Sequence, residues 1–242
     1  MKLVINKSQF VESILAPVSK LADNLLLDFT TSETNGMFAK TFISSADNSM
    51  ILMAKIPCKA DDHYKCVIPD CKTFLRLFSG VEKENITLDI DTNVIKYKDG
   101  SFSFKYHLLD ESYIVNKKSI SEEKINGLEF DTTFTITKQK LSEIIKFNSI
   151  VPDAEKLYFL TDGNKVFAKL GDEQKSNTNE IVTELTNCFQ GQSLTESFPI
   201  NIQNILLFSF CSDEIEISVN QQLKVFQFKT PNLKYIVSGL VK

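Results

Sequence analysis

The chain has 242 residues, 43% of them hydrophobic and 24% charged, enough for one large or two ordinary folded domains and too apolar for a disordered chain. Its net charge of −4 argues against wrapping nucleic acid over the whole surface, because phosphate contacts need cations. No apolar run reaches the ~20 residues of a membrane span, and MKLVINKSQF turns polar too soon for a secretory signal, so no membrane partner and a cytoplasmic location are expected.

The first element, LVINKSQFVESILAPV, reads as a strand running into a helix with Phe10, Ile14, Leu15 and Val18 on one face. CVIPDCKTFLRLFSG repeats the strand-helix arrangement with Cys71, Phe74, Leu75 and Phe78 as the apolar stripe. Lys72 and Arg76, the latter the sole arginine, lie one turn apart on the opposite face. Like charges at that spacing cost a helix about 0.2–0.5 kcal/mol, which points to a use for them. NITLDID, VIKYKDG and SFSFKYHLL then alternate as an antiparallel meander, with Asp99-Gly100 as a hairpin turn.

Residues 110–130, DESYIVNKKSISEEKINGLEF, are long, mixed in charge and end in an Asn-Gly turn signal, so they read as a connector between domains at 1–109 and 131–242. FTITKQKLSEIIKFNS and FPINIQNILLFSFCS repeat the strand-helix unit twice more. The last helix is read as about ten residues with Ile202, Ile205, Leu206 and Ser209 on one face. EIEISVN, LKVFQFK and LKYIVSGLV close the chain as a second meander. Val4, Val67, Phe134 and Phe198 lead the four copies, at spacings of 63, 67 and 64 residues. The fold class is therefore α+β: four strand-helix-strand units grouped as two similar domains, each helix packing on the sheet of its own unit.

Five cysteines without a CxxC pair, and only two histidines, fit free buried thiols in a reducing compartment better than disulfides or zinc. No Gly-rich phosphate loop, GxSxG or HExxH occurs. No enzyme, metal or cofactor is expected.

The doubled βαβββ plan with a long connector resembles the DNA polymerase sliding clamps, processivity factors, and is closest to the trimeric type of T4-like phages, archaea and eukaryotes. The connector's D-x-S-x-x-V, the SSADNSMILM segment and the ending TPNLKYIVSGLV are similar to clamp motifs, over essentially the whole chain. The resemblance implies helices lining a ring around duplex DNA, sheets outside, closure as a homotrimer, and docking of the DNA polymerase and the clamp loader. An AT-rich phage is the expected source. DNA-facing candidates are Lys7, Lys20, Lys72, Arg76, Lys83, Lys138, Lys140 and Lys146, with Gln203 and Asn204 on a fourth helix that has no cation. Acidic groups at Asp61-Asp62, Asp110-Glu111, Glu122-Glu123 and Asp213-Glu214 are expected on the exterior, where they repel DNA.

The resemblance also implies a partner-peptide pocket formed by Ala46, Ile51, Tyr113, Ile114, Val115, Ile236, Val237, Ser238, Gly239 and Leu240. Subunit contacts are implied through Phe104, Tyr106, Ile181 and Leu185. The alternative reading is a scaffold of the same fold that recruits transcription or repair partners without encircling DNA.

Overall fold

The computed structural model describes residues 1–32, 36–45, 49–110, 112, 121–173, 179–195 and 198–240. It divides into two compact units, one of Met1–Ser44 with Leu52–Lys118, the other of Ser45–Ile51 with Ser119–Lys242.

In the first unit the strands are β1 (Lys2–Asn6), β2 (Leu25–Ser32), β3 (Gly36–Ser44), β4 (Met50–Ala60), β5 (Tyr64–Ile68), β6 (Asn85–Asp91), β7 (Val94–Asp99) and β8 (Phe102–His107). They lie side by side in the order β5-β2-β3-β4-β1-β6-β7-β8, and Leu109 just beyond β8 bridges back to Val67. The alternation predicted for residues 85–109 is borne out, with Gly100 at φ +54 in the β7–β8 turn, a backbone position costly for residues with a Cβ.

Two helices cover one face of this sheet. The first, α1, runs from Lys7–Phe10 through a π turn at Val11–Leu15 into Ala16–Leu21. Pro17 accounts for the π turn: it has no N–H, and its ring opposes the carbonyl four residues back, so the preceding N–H of Ala16 reaches Val11 instead. The second, α2 (Cys71–Ser79), buries Cys71, Phe74 and Phe78, while Leu75 is only half-buried. Phe10 meets Phe78 at 5.4 Å between ring centroids, and Phe74 meets Tyr106 at 4.7 Å, so the helices share a phenylalanine seam above the sheet. Each such ring contributes about 1.5–3 kcal/mol by leaving water.

The second unit contains α3 (Glu122–Asn126), β9 (Thr132–Ile136), α4 (Lys138–Ile150), β10 (Lys156–Asp162), β11 (Lys165–Leu170), β12 (Ile181–Thr186), β13 (Gln190–Gly191) and β14 (Ile200–Asn201). They are followed by α5 (Gln203–Leu206) with a 3-10 turn at Leu207–Phe210, then β15 (Ile215–Asn220), β16 (Val225–Lys229) and β17 (Leu233–Ser238). Its strands form two runs, β13-β9-β15-β16-β17 and β12-β11-β10-β14. Phe159, Phe198 and Phe226 join them as a buried chain, at 5.8 and 4.8 Å.

The Asn126-Gly127 turn signal falls on the turn that ends α3, which Ser121 caps and Ile125 anchors in the core. One local expectation is corrected. The fourth helix is not a regular ten-residue α-helix. Its buried side chains are Ile202, Ile205, Leu207, Phe208 and Cys211. A 3-10 turn stacks residues three apart, so the chain tightens after Leu206, leaving Leu206 half-buried and Ser209 exposed.

Candidate nucleic-acid interface

The helices begin on equivalent polar residues. Asn6 Oδ1 accepts the Gln9 N–H at 2.9 Å, Asp70 Oδ1 that of Thr73 at 2.9 Å, Thr137 Oγ1 that of Lys140 at 3.3 Å, and Asn201 Oδ1 that of Gln203 at 2.8 Å. Asp70 also accepts the Thr73 hydroxyl at 2.6 Å, and these bonds hold its carboxyl below the usual carboxylate range. These caps fix where each helix starts, and so which residues it turns away from its sheet.

The candidate cations separate into two groups. Arg76, Lys138 and Lys146 are exposed, and among the described residues no carboxylate lies within ion-pair distance of them. Lys72 is exposed and only loosely associated with Asp23, at 3.7 Å. The others are engaged. Lys7 Nζ donates to the Val81 carbonyl at 2.5 Å, Lys83 pairs with Asp99 at 2.8 Å, and Lys140 pairs with Glu143 at 2.8 Å. Lys20 is exposed at the end of α1, and burial of its ammonium lowers its pKa. On α5, Gln203 is exposed, but Asn204 accepts the buried Tyr235 hydroxyl at 2.6 Å. Asn204 therefore serves the core.

Of the pocket candidates, Ala46, Tyr113, Ile114 and Val115 lie outside the described residues. Ile51, Ile236 and Val237 are buried in the second unit's core, at 4, 5 and 3% exposure, so their side chains are not offered to a peptide. Ser238 is exposed, and Gly239 and Leu240 half-buried. Their N–H groups donate to the carbonyls of Ser49, Lys224 and Pro199 at 2.9, 2.7 and 2.7 Å, which leaves those donors unavailable for strand pairing. A Cβ on Gly239 would stand 2.6 Å from the buried Phe198 ring, which accounts for glycine there.

Of the subunit-contact candidates, Tyr106 is core: its hydroxyl donates to the Asp70 carbonyl at 2.8 Å and accepts the Asp70 N–H at 3.0 Å. Leu185 is buried, Ile181 half-buried, and Phe104 packs half-buried against Phe74, Phe78 and Tyr97. Among the described residues the strands have open edges: β8 pairs only with β7, and β12 only with β11. Val182 on β12, 56% exposed, is an apolar group that alternation alone does not single out.

Two of the buried thiols are inert. Burial pushes Cys66 and Cys71 up to about 12, so neither supplies a nucleophilic thiolate near neutral pH. Among the described residues no group of His, Cys, Asp and Glu could hold a metal ion, and no helix is long and apolar enough to cross a membrane.

No protein-family model matches the chain, and no curated protein matches it by sequence. Solved structures do. The chain is similar to A. fulgidus PCNA, solved with the C-terminal region of FEN-1 bound, at TM-score 0.75 and 14% identity over 100% of this chain and 98% of that one. The PCNA2-PCNA3 complex from Sulfolobus tokodaii gives TM-score 0.74 and 17% identity over 99% of each chain. A putative DNA polymerase III beta subunit from Eubacterium rectale gives TM-score 0.69 and 12% identity, over 100% of this chain and 66% of that one. The fold is that of a sliding clamp. Against the PCNA chains the correspondence is end to end, so the chain spans that fold at PCNA length. Against the beta subunit the chain spans about two thirds.

Proposed function

We propose that this chain is a sliding clamp: a ring subunit that encircles duplex DNA and tethers the replicative DNA polymerase, with the clamp loader and other DNA-metabolism proteins docking on the same ring. The observation that carries this reading is the end-to-end match to PCNA, over 100% of this chain and 98% of that one. The ring closes as a homotrimer, with β8 of one subunit beside β12 of the next; the two open six-residue edges support this arrangement. Arg76, Lys72, Lys138 and Lys146 face the DNA. They hold it loosely and without base readout, as sliding requires. The protein acts as a tether and catalyses nothing, and an AT-rich phage is its source.

Retention on circular DNA tests the reading directly. Loaded protein is expected to stay on a closed circle and to leave once the circle is cut. Equal retention on circular and linear DNA overturns encirclement.

A second reading, a clamp-fold scaffold that recruits partners without encircling DNA, is favoured by one observation: α5 carries no cation, and Lys7, Lys83 and Lys140 are bonded within the chain. Solution mass separates the two. A species near three times 27.4 kDa supports the ring, and a persistent monomer at working concentration supports the scaffold.

A further inference from the structure

The sheet of the first unit has a second face, turned away from α1 and α2, and its charges do not match an acidic exterior. Phe104 and Tyr106 point toward the helices, where they meet Phe74, so Lys105 between them points the other way. In register, Lys96 of β7 lies directly opposite Lys105 of β8, and Lys98 opposite Ser103. His107 continues the same face, and all of these are exposed. Among the described residues Lys98 and Lys105 have no carboxylate within ion-pair distance, and Lys96 only Asp91, at 4.0 Å. Two lysines directly opposed across a strand pair repel one another. Charge placed on an edge to discourage aggregation accounts for Lys105 on β8, but not for Lys96 and Lys98 on the interior strand β7.

We infer that the β7–β8 face, with Lys96, Lys98 and Lys105, is a docking surface for an acidic polypeptide segment of a partner protein. Charge complementarity names the class, and three features choose within it. Asp89 lies between Lys2 and Lys96 in the cross-strand row, and Asp91 lies on the same strand as Asp89. A nucleic-acid backbone crossing the sheet would meet these carboxylates, whereas a short acidic segment fits beside them. The aromatic rings of β7 and β8 point inward, so no platform is presented for stacking bases. A second copy of this chain is a poor occupant through its open edge, because Glu180 and Glu184 there are already paired, with Lys169 at 3.0 Å and Lys165 at 2.7 Å.

The surface lies on the sheet face of β7 and β8 rather than on the β8 edge, and is tested on the intact chain. The probe is a fluorescein-labelled twelve-residue peptide of alternating Glu and Ser, titrated with the wild type, with Lys98→Glu/Lys105→Glu, and with Lys124→Glu/Lys224→Glu, two exposed lysines of the second unit, as a control of equal net charge. The β7–β8 double variant is expected to bind at least tenfold more weakly than wild type, with the control close to wild type and unchanged melting temperatures. Equal weakening in both variants reduces the effect to net charge and overturns the proposal. So does an oligo-dT of the same length that binds more tightly than the peptide and loses its binding in the β7–β8 variant, because the surface then belongs to nucleic acid. A shift in self-association on reversal of Lys98 and Lys105 overturns it in favour of a second copy.

Discussion

An ammonium already bonded to its own protein attracts a phosphate less than a bare one, because that bond must first be given up. Lys7 and Lys83 are therefore poor DNA ligands here, and Arg76, Lys138 and Lys146 better ones. Arg76→Ala with Lys138→Ala and Lys146→Ala should weaken DNA binding and flatten its salt dependence, the slope falling by about 0.9 for each phosphate no longer neutralised, with no fall in melting temperature. Lys7→Met with Lys83→Met should leave the slope unchanged. A salt titration of binding distinguishes the two sets. Asn204→Ala should act through stability instead. It leaves the Tyr235 hydroxyl buried without its acceptor, a loss of about 1–3 kcal/mol in urea denaturation. The sequence carried the types and spacing of these side chains. Their intrachain partners were not legible, since Val81 and Asp99 reach Lys7 and Lys83 only once the strands have assembled.

At the scale of the element, the cap of α2 links stability to pH. Bonds from the Thr73 hydroxyl and N–H favour the ionised form of Asp70, so its pKa in the folded chain lies below its unfolded value. The unfolded chain then takes up more protons in acid. The cap's contribution is fully present above the unfolded carboxylate pKa and disappears as pH falls through the folded one. Asp70→Asn should lower the melting temperature at neutral pH and reduce its decline on acidification. Equal acid sensitivity in the two proteins would assign the decline to other carboxylates. All four helix starts were legible because each is marked by Asn, Asp or Thr, and the two meanders because alternation over six residues is a strong signal. The interior of the fourth helix was misread. The chain tightens to a 3-10 turn at Leu207–Phe210, so Leu207 and Phe208 are buried where a period near 3.6 put Leu206 and Ser209. The π turn of α1 was signalled only by Pro17.

At the scale of the whole chain, the four-fold repeat was visible as even spacing of Val4, Val67, Phe134 and Phe198. The division into units was not fully visible. Ser45–Ile51 lies early in the sequence but belongs to the second unit, where the Ser49 carbonyl accepts the Ser238 N–H at 2.9 Å. Nothing in a local pattern announces a pairing between residues so far apart. That pairing also sets a timetable. On the ribosome, Ser49 emerges long before Ser238 exists, so this early segment waits through the synthesis of nearly all the rest for its backbone partner. A nascent chain stopped before β17 therefore leaves the Ser49 carbonyl without the Ser238 N–H, while the strands on both sides of it are free to assemble. Completion of the fold is deferred to the last strand made, and a shortened product carries an unfinished edge near its beginning as well as at its end.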